Sequence, residues 1–164
     1  MSARLIKAQP LTREAFAPFG DVIQTEGAEN FLINAGKTRR FHDLAKVETC
    51  GENARVLINI FRGEAHELPL PLKLVERHPL GSQAFFPLAG RRFIVIVCPD
   101  EGGKPGMPHA FLASGKQGVN YHVGTWHGVL TAIDQDQDFL VVDRGGDGNN
   151  LEEYRFGDEC SITL

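Results

Sequence analysis

Short runs in which apolar residues alternate with polar ones, or follow one another unbroken, recur along the chain. They lie at Arg55–Arg62, Gln83–Leu88, Arg92–Cys98 and Phe139–Asp143, with shorter ones at Ala110–Ala113, Gly118–His122 and Val129–Ile133. β-branched and aromatic residues dominate them. Clusters such as Pro99–Gly103, Ser114-Gly115 and Gly145–Gly148 separate them, which is the pattern of strands joined by turns. Only one segment reads as helix: Thr12 can cap, Arg13–Ala17 can form a turn or two, and Pro18 followed by Gly20 stops it. Strands of this length with no helices between them predict an all-β, cupin-like β-barrel or double-sheet sandwich with a short N-terminal helix. Three of the runs are apolar on consecutive residues. Both of their faces should therefore be covered, by a second sheet on one side and a partner subunit on the other. Residues 100–108 and 145–153 read as loops, the first of them mobile.

Composition narrows the class without changing that picture. The 164 residues, 42% hydrophobic and 23% charged, are enough for one domain over 1–164 with its own core, without disulfides or a structural metal. A net charge of -4 without a basic block argues against nucleic acid as partner. The longest apolar run, Phe93–Cys98, is far short of the ~20 residues that span a bilayer, so no membrane partner is expected. The first ten residues hold no apolar signal core, and Cys50, Cys98 and Cys160 form an odd set without close spacing. Both features suit a reducing cytoplasm. Cys98, at the end of an apolar strand, reads as a small core residue.

Polar residues gather beside strand ends in four places: Asn34–Asp43, Glu76–Gln83, Gly118–His127 and Asp143–Asp147. Residues two apart in a strand face the same side, so Glu76 and His78 can share one interior while Arg77 faces the other way. With Gln83 and Gly90 following, the spacing is similar to the first cupin motif. Glu76 then stands at its first His position, His78 at the second and Gln83 at its Glu position. Gly118–His127 resembles the second motif, with His122 as its histidine.

The strings Arg39–Leu44, Glu76–Gly81, Gln83–Phe85, Gly118–His122, Trp126-His127 and Asp143–Gly146, in this order, together resemble the ureidoglycolate lyase family of allantoin degradation. The resemblance runs over nearly the whole chain. It implies a cupin-like homodimer that releases glyoxylate and urea from (S)-ureidoglycolate. It also implies a divalent metal, nickel in particular, with His78 and His122 as candidate ligands.

Cleavage of this carbinolamine is a retro-addition. A base removes the hydroxyl proton, a carbonyl forms, and urea leaves as its nitrogen gains a proton. The candidate catalytic residues are His78, His122 and Gln83. Arg77 and Arg40 are candidate clamps for the carboxylate, because a guanidinium fork matches it. Asn120, Glu76 and Trp126 complete the candidate substrate contacts. Each has a plainer reading: His78 bonding a backbone carbonyl, Glu76-Arg77 as a solvated pair, His122 as structural and Trp126 as a plug. Asp143-Arg144 reads as an ion pair holding a turn, His42-Asp43 as a local turn, and Asn34, Lys37 and Arg40 as a lid or surface loop. His66 and His109 read as surface. A non-catalytic cupin-like module binding a small acid, and amide hydrolysis releasing ammonia, are the alternative functions.

Overall fold

A computed structural model describes residues 3–157 and 159–164. The runs of the sequence become strands at Arg55–Gly63, Leu74–Arg77, Gln83–Pro87, Phe93–Cys98, His109–Ala113, Gly118–Tyr121, Trp126–Gly128 and Gln137–Gly145. The one helix, Arg13–Phe16, starts as predicted at Thr12, whose side chain accepts from the Ala15 N–H. Two sheets face each other. The five-stranded one runs Gly20–Ile23, Gly118–Tyr121, Gln83–Pro87, Gln137–Gly145, Arg55–Gly63. The seven-stranded one has Glu152–Arg155, Leu74–Arg77, Trp126–Gly128, Phe93–Cys98, His109–Ala113 and Gln9–Pro10 in that order, with Thr131–Ala132 paired beside Phe93–Cys98. The all-β, cupin-like double-sheet architecture is thus the observed one.

Phe93–Cys98 shows why an unbroken apolar run is needed. Phe93, Val95 and Val97 point into the core between the sheets, against Phe85, Val119 and Phe139. Ile94, Ile96 and Cys98 point the other way, onto Leu72, Ile162 and Ala8. That second face is covered by a three-stranded sheet of Arg4–Lys7, Cys160–Thr163 and Leu70–Pro71, in which the two terminal segments of the chain pair in parallel. The expectation that a partner subunit covers it is therefore corrected for this strand: the chain folds its own third layer over it. Burial there pushes the Cys98 thiol up to about 12, with Cys160 adding to the rise.

Two loop readings also change. Residues 100–108 contain a ribbon in which Asp100–Glu101 pairs with Lys104–Pro105, and within 145–153 the edge strand begins at Glu152. The segment with Asn34, Lys37 and Arg40, expected to be irregular, is a hairpin of Asn30–Ile33 with Thr38–Phe41. After it, residues 44–50 run as a strap over the outer face of the five-stranded sheet. The strap is fastened by Lys46 N–H to Asp21 Oδ2 (3.0 Å), Glu48 N–H to Ser82 Oγ (2.8 Å) and Cys50 N–H to Leu80 O (2.9 Å).

Candidate active site

At one end of the sandwich the inward-facing positions turn from apolar to polar. In Leu74–Arg77 the pleat sends Val75 to the outer core and Glu76 inward. His127 pairs in register with Glu76 on one side and Val97 on the other, so it also faces inward. Across the gap Tyr121 lays its ring on His127, with centroids 4.1 Å apart and planes 5° from parallel. Gln83 is the register neighbour of Tyr121. Asp143, two residues past the core residue Val141, accepts from Gln83 Nε2 (3.1 Å) and Asn59 Nδ2 (3.0 Å). Phe85 and Phe61, ring centroids 5.7 Å apart, lie beneath this polar layer.

The hydrogen bonds fix which atoms remain available. His78 Nδ1 lies 2.8 Å from Asn150 O and His127 Nδ1 2.9 Å from Gly128 O. A carbonyl only accepts, so each Nδ1 carries a proton and each Nε2 is the atom left for the site. Both Nε2 atoms are buried without a partner, as is Gln83 Oε1. Glu76 Oε1 sits 3.8 Å from His78 Nε2. Burial raises the Glu76 carboxyl; His78 opposes the rise and Glu153 adds to it. Burial above all pushes His127 down to about 3, so its imidazole is neutral; the Gly128 carbonyl opposes that fall and His78 adds to it. Tyr121 is raised by burial, with Glu76 contributing, and stays a neutral phenol.

One ligand atom from each of Glu76, His78 and His127 lies within 4.8 Å of the others. Two imidazoles, each with Nδ1 against a carbonyl and Nε2 without a hydrogen-bond partner, beside one carboxylate, are a donor set that fits a divalent transition metal. The orphaned buried nitrogens are the observation behind that fit, since leaving such atoms unpaired is costly.

Of the residues singled out in the sequence, Glu76, His78 and Gln83 meet here. The plain reading of His78 is also true, but of its other nitrogen. His122 does not join them. Tyr121 points inward, so its neighbours point outward, and His122 Nε2 lies 3.1 Å from Asp21 Oδ2 on the far side of the sheet. It is therefore not a ligand partner of His78. Asn120, also outward, donates to Asp21 Oδ2 (3.0 Å) and Lys46 O (2.9 Å) and holds the strap. Burial raises the Asp21 carboxyl, but hydrogen bonds from Asn120, Lys46 N–H and His122 outweigh it and bring Asp21 below its ordinary value.

Arg77 faces the outer layer. It donates to Glu152 (2.6 Å) and Asp100 (2.9 Å) and lies 4.4 Å from the Trp126 ring centroid. Trp126 is buried in the same layer and donates to Asp100 Oδ1 (3.0 Å), so neither residue faces the polar end. Arg40 stands on the hairpin, over Phe31. The Asp143-Arg144 ion pair is not formed. Arg144 points outward and donates to Cys50 O (2.7 Å) and Asp147 O (2.7 Å), while Asp143 points inward.

His127, read from the sequence with Trp126 as a plug or a substrate contact and not as a catalytic or metal candidate, is the residue that joins Glu76 and His78. His122 and His127 are an odd number of positions apart across a turn, so they need not share a face. Only the register opposite Glu76 shows which of them is inside.

Comparison with known proteins places the chain in a family. A sequence profile described as Ureidoglycolate lyase matches residues 3–163. The ureidoglycolate lyase of Chelativorans sp. (strain BNC1) is 63% identical over 161 residues, covering 98% of this chain and 98% of its own. That of Mesorhizobium japonicum is 58% identical over 159 residues, covering 97% of this chain and 98% of its own. That of Brucella anthropi is 58% identical over 158 residues, covering 96% and 94%.

Proposed function

The chain belongs to the ureidoglycolate lyase family, and we propose that it cleaves (S)-ureidoglycolate to glyoxylate and urea at the Glu76–His78–His127–Gln83 cluster. The observation that carries the site is a set of buried atoms without hydrogen-bond partners: His78 Nε2 and His127 Nε2, on residues gathered with Glu76, and Gln83 Oε1, on the register neighbour of the Tyr121 that stacks on His127. Asp143 can only accept, so it takes the NH2 of Gln83 and leaves Oε1 to accept an N–H of the ureido group. The Glu76 carboxylate, desolvated and therefore more basic than an exposed one, takes the substrate hydroxyl proton. The electron pair of that O–H bond closes the carbonyl of glyoxylate. The C–N bond breaks, its pair goes to the ureido nitrogen, and the proton returns there, releasing urea. No water is consumed.

Glu76, His78 and His127 would hold a divalent metal, nickel in the family resemblance. Such an ion, when bound, supplies Lewis-acid polarisation of the substrate's oxygen atoms. The protein is read as a single cytoplasmic domain that works as a homodimer. Val56 (53% exposed), Ile58 (74%) and Ile60 (60%), on one face of the edge strand, support the dimer: they form an apolar outer face on the five-stranded sheet.

The test incubates purified protein with (S)-ureidoglycolate. It follows glyoxylate as its phenylhydrazone, with urea and ammonia measured in parallel. Glyoxylate and urea in equal yield, faster than spontaneous decay, are expected. A rate equal to spontaneous decay would overturn catalysis and leave a binding module, and stoichiometric ammonia would indicate amide hydrolysis instead. Elemental analysis before and after chelation, in wild type and His127→Ala, tests the metal.

A further inference from the structure

The side chains of the site supply little positive charge of their own. Its own groups include the carboxylates of Glu76 and Asp143, and its substrate carries a third. Among the described residues, the hydrogen bonds and ion pairs of Glu76, His78, Gln83, Asp143 and His127 involve no lysine or arginine. Arg77 and Arg144 face away and are occupied. Arg155, on the edge strand beside Leu74–Arg77, is paired with Glu153. A guanidinium fork suits a bound carboxylate; among the described residues none is bonded to the groups of this site, and Arg55, at the end of the strand Arg55–Gly63, is the cation of the same chain that could compete.

The hairpin Asn30–Phe41 has the opposite character. It contains Lys37, Arg39 and Arg40 and no acidic residue. It exposes Phe31 (39%), Leu32 (55%) and Phe41 (36%), although an isolated two-stranded hairpin is at best marginally stable and needs cover. One of its faces is already organised. Arg40 lies 5.8 Å from the Phe31 ring centroid, Phe31 packs on His42 (5.6 Å), and His42 Nδ1 is buried without a partner. The hairpin is rooted outside the sandwich. The chain leaves the edge strand at Ile23, whose partner Gly118 is at the far end from Tyr121, and returns as the strap on the outer face. Its own site lies on the other side of that sheet. The outer face on which the strap lies continues to Val56, Ile58 and Ile60, the surface on which a second copy would pack.

We propose that in the homodimer the hairpin crosses to the second copy and delivers Arg40 to that copy's Glu76–His78–His127–Gln83 site, where its guanidinium clamps the substrate carboxylate. The proposal rests on the lyase reading and on the complementarity between a hairpin of three cations and a site of two carboxylates. Each hairpin strand spans about 13 Å, enough to reach past an edge strand.

Subunit complementation tests it. Arg40→Ala and His78→Ala chains are prepared separately and then co-assembled, with the mixed dimer confirmed by mass spectrometry. Each parent should be nearly inactive. If Arg40 works across the dimer, every mixed dimer holds one complete site, and a statistical mixture regains about a quarter of wild-type turnover. If Arg40 serves its own site, no complete site forms and nothing is regained. That outcome, with wild type active, overturns the proposal and leaves the lyase reading standing; a wild type without turnover overturns both.

A second measurement separates clamping from assembly. N-(hydroxymethyl)urea is the substrate without its carboxylate, and it releases formaldehyde by the same retro-addition. Arg40→Ala and Arg40→Gln should lower the ratio of kcat/KM for ureidoglycolate over this analogue about 100-fold, the scale of a lost charged bidentate contact. Arg40→Lys should restore part of it. An unchanged ratio overturns the proposal. So does a loss found only in Arg55→Ala, because Arg55 is exposed on the inner-facing side at the end of the edge strand and is the cation of the same chain best placed to compete.

Discussion

At the level of single residues, the chemistry depends on which nitrogen or oxygen is left free. His78 and His127 each spend Nδ1–H on a carbonyl and keep Nε2 for the site, whereas His122 spends Nε2 on Asp21. Glu76→Gln should therefore lower kcat by roughly 10²–10⁴, the usual range for loss of a proton-transferring group, and His78→Ala and His127→Ala should each lower it as well. His122→Ala should leave turnover within about a factor of two and cost about 1 kcal/mol or less, because its pair is half exposed. The glyoxylate assay and urea denaturation check both statements. Full activity in His127→Ala would remove it from the site.

At the level of elements, two segments hold the sandwich from outside. The strap at 44–50 fixes Leu80–Ser82, the turn between His78 and Gln83, and Arg144 clips its end at Cys50. Gly81 belongs there because a Cβ would stand 2.5 Å from that of Arg144. Asp21, which anchors the strap through Lys46 and Asn120, lies below its ordinary 3.8 in the folded chain. A carboxyl depressed in this way adds stability above its unfolded value and loses it as the pH falls through its folded value. The Tm of wild type should exceed that of Asp21→Asn near neutrality, and the gap should close as the pH drops below 3.8. The third sheet is the other brace. Ile96 faces it at 3% exposure, so Ile96→Ala should cost about 2–5 kcal/mol in urea unfolding.

At the level of the whole molecule, the proposed dimer rests on the apolar surface left over. Phe93–Cys98 leaves none, being covered on both faces within the chain. On the strand Arg55–Gly63, by contrast, Ile58 is 74% exposed. Ile58→Glu should shift the protein from dimer to monomer in light scattering. If Arg40 is supplied across the interface, turnover should fall with it, by about 10-fold or more. A dimer that survives this change would place the interface elsewhere.

The strands, their turns, the Thr12 cap and the burial of Cys98 are legible in the sequence, because alternation and β-branched runs are local properties of the chain. So is the pairing of Glu76 with His78 on one face, and the separation of both from Arg77, which follows from a pleat of period two. The family was legible too, in ordered strings that no single element depends on. Register was not. Whether His122 or His127 joins Glu76 depends on which strand lies beside Leu74–Arg77, a contact between segments some fifty positions apart. The same holds for Asp143, whose partners Asn59 and Gln83 come from two other strands, and for the third sheet, built from residues near both ends of the chain. Sequence determined which face each residue takes within its own strand; only the tertiary structure decided which faces meet, because strand pairing is a long-range choice that local periodicity does not encode.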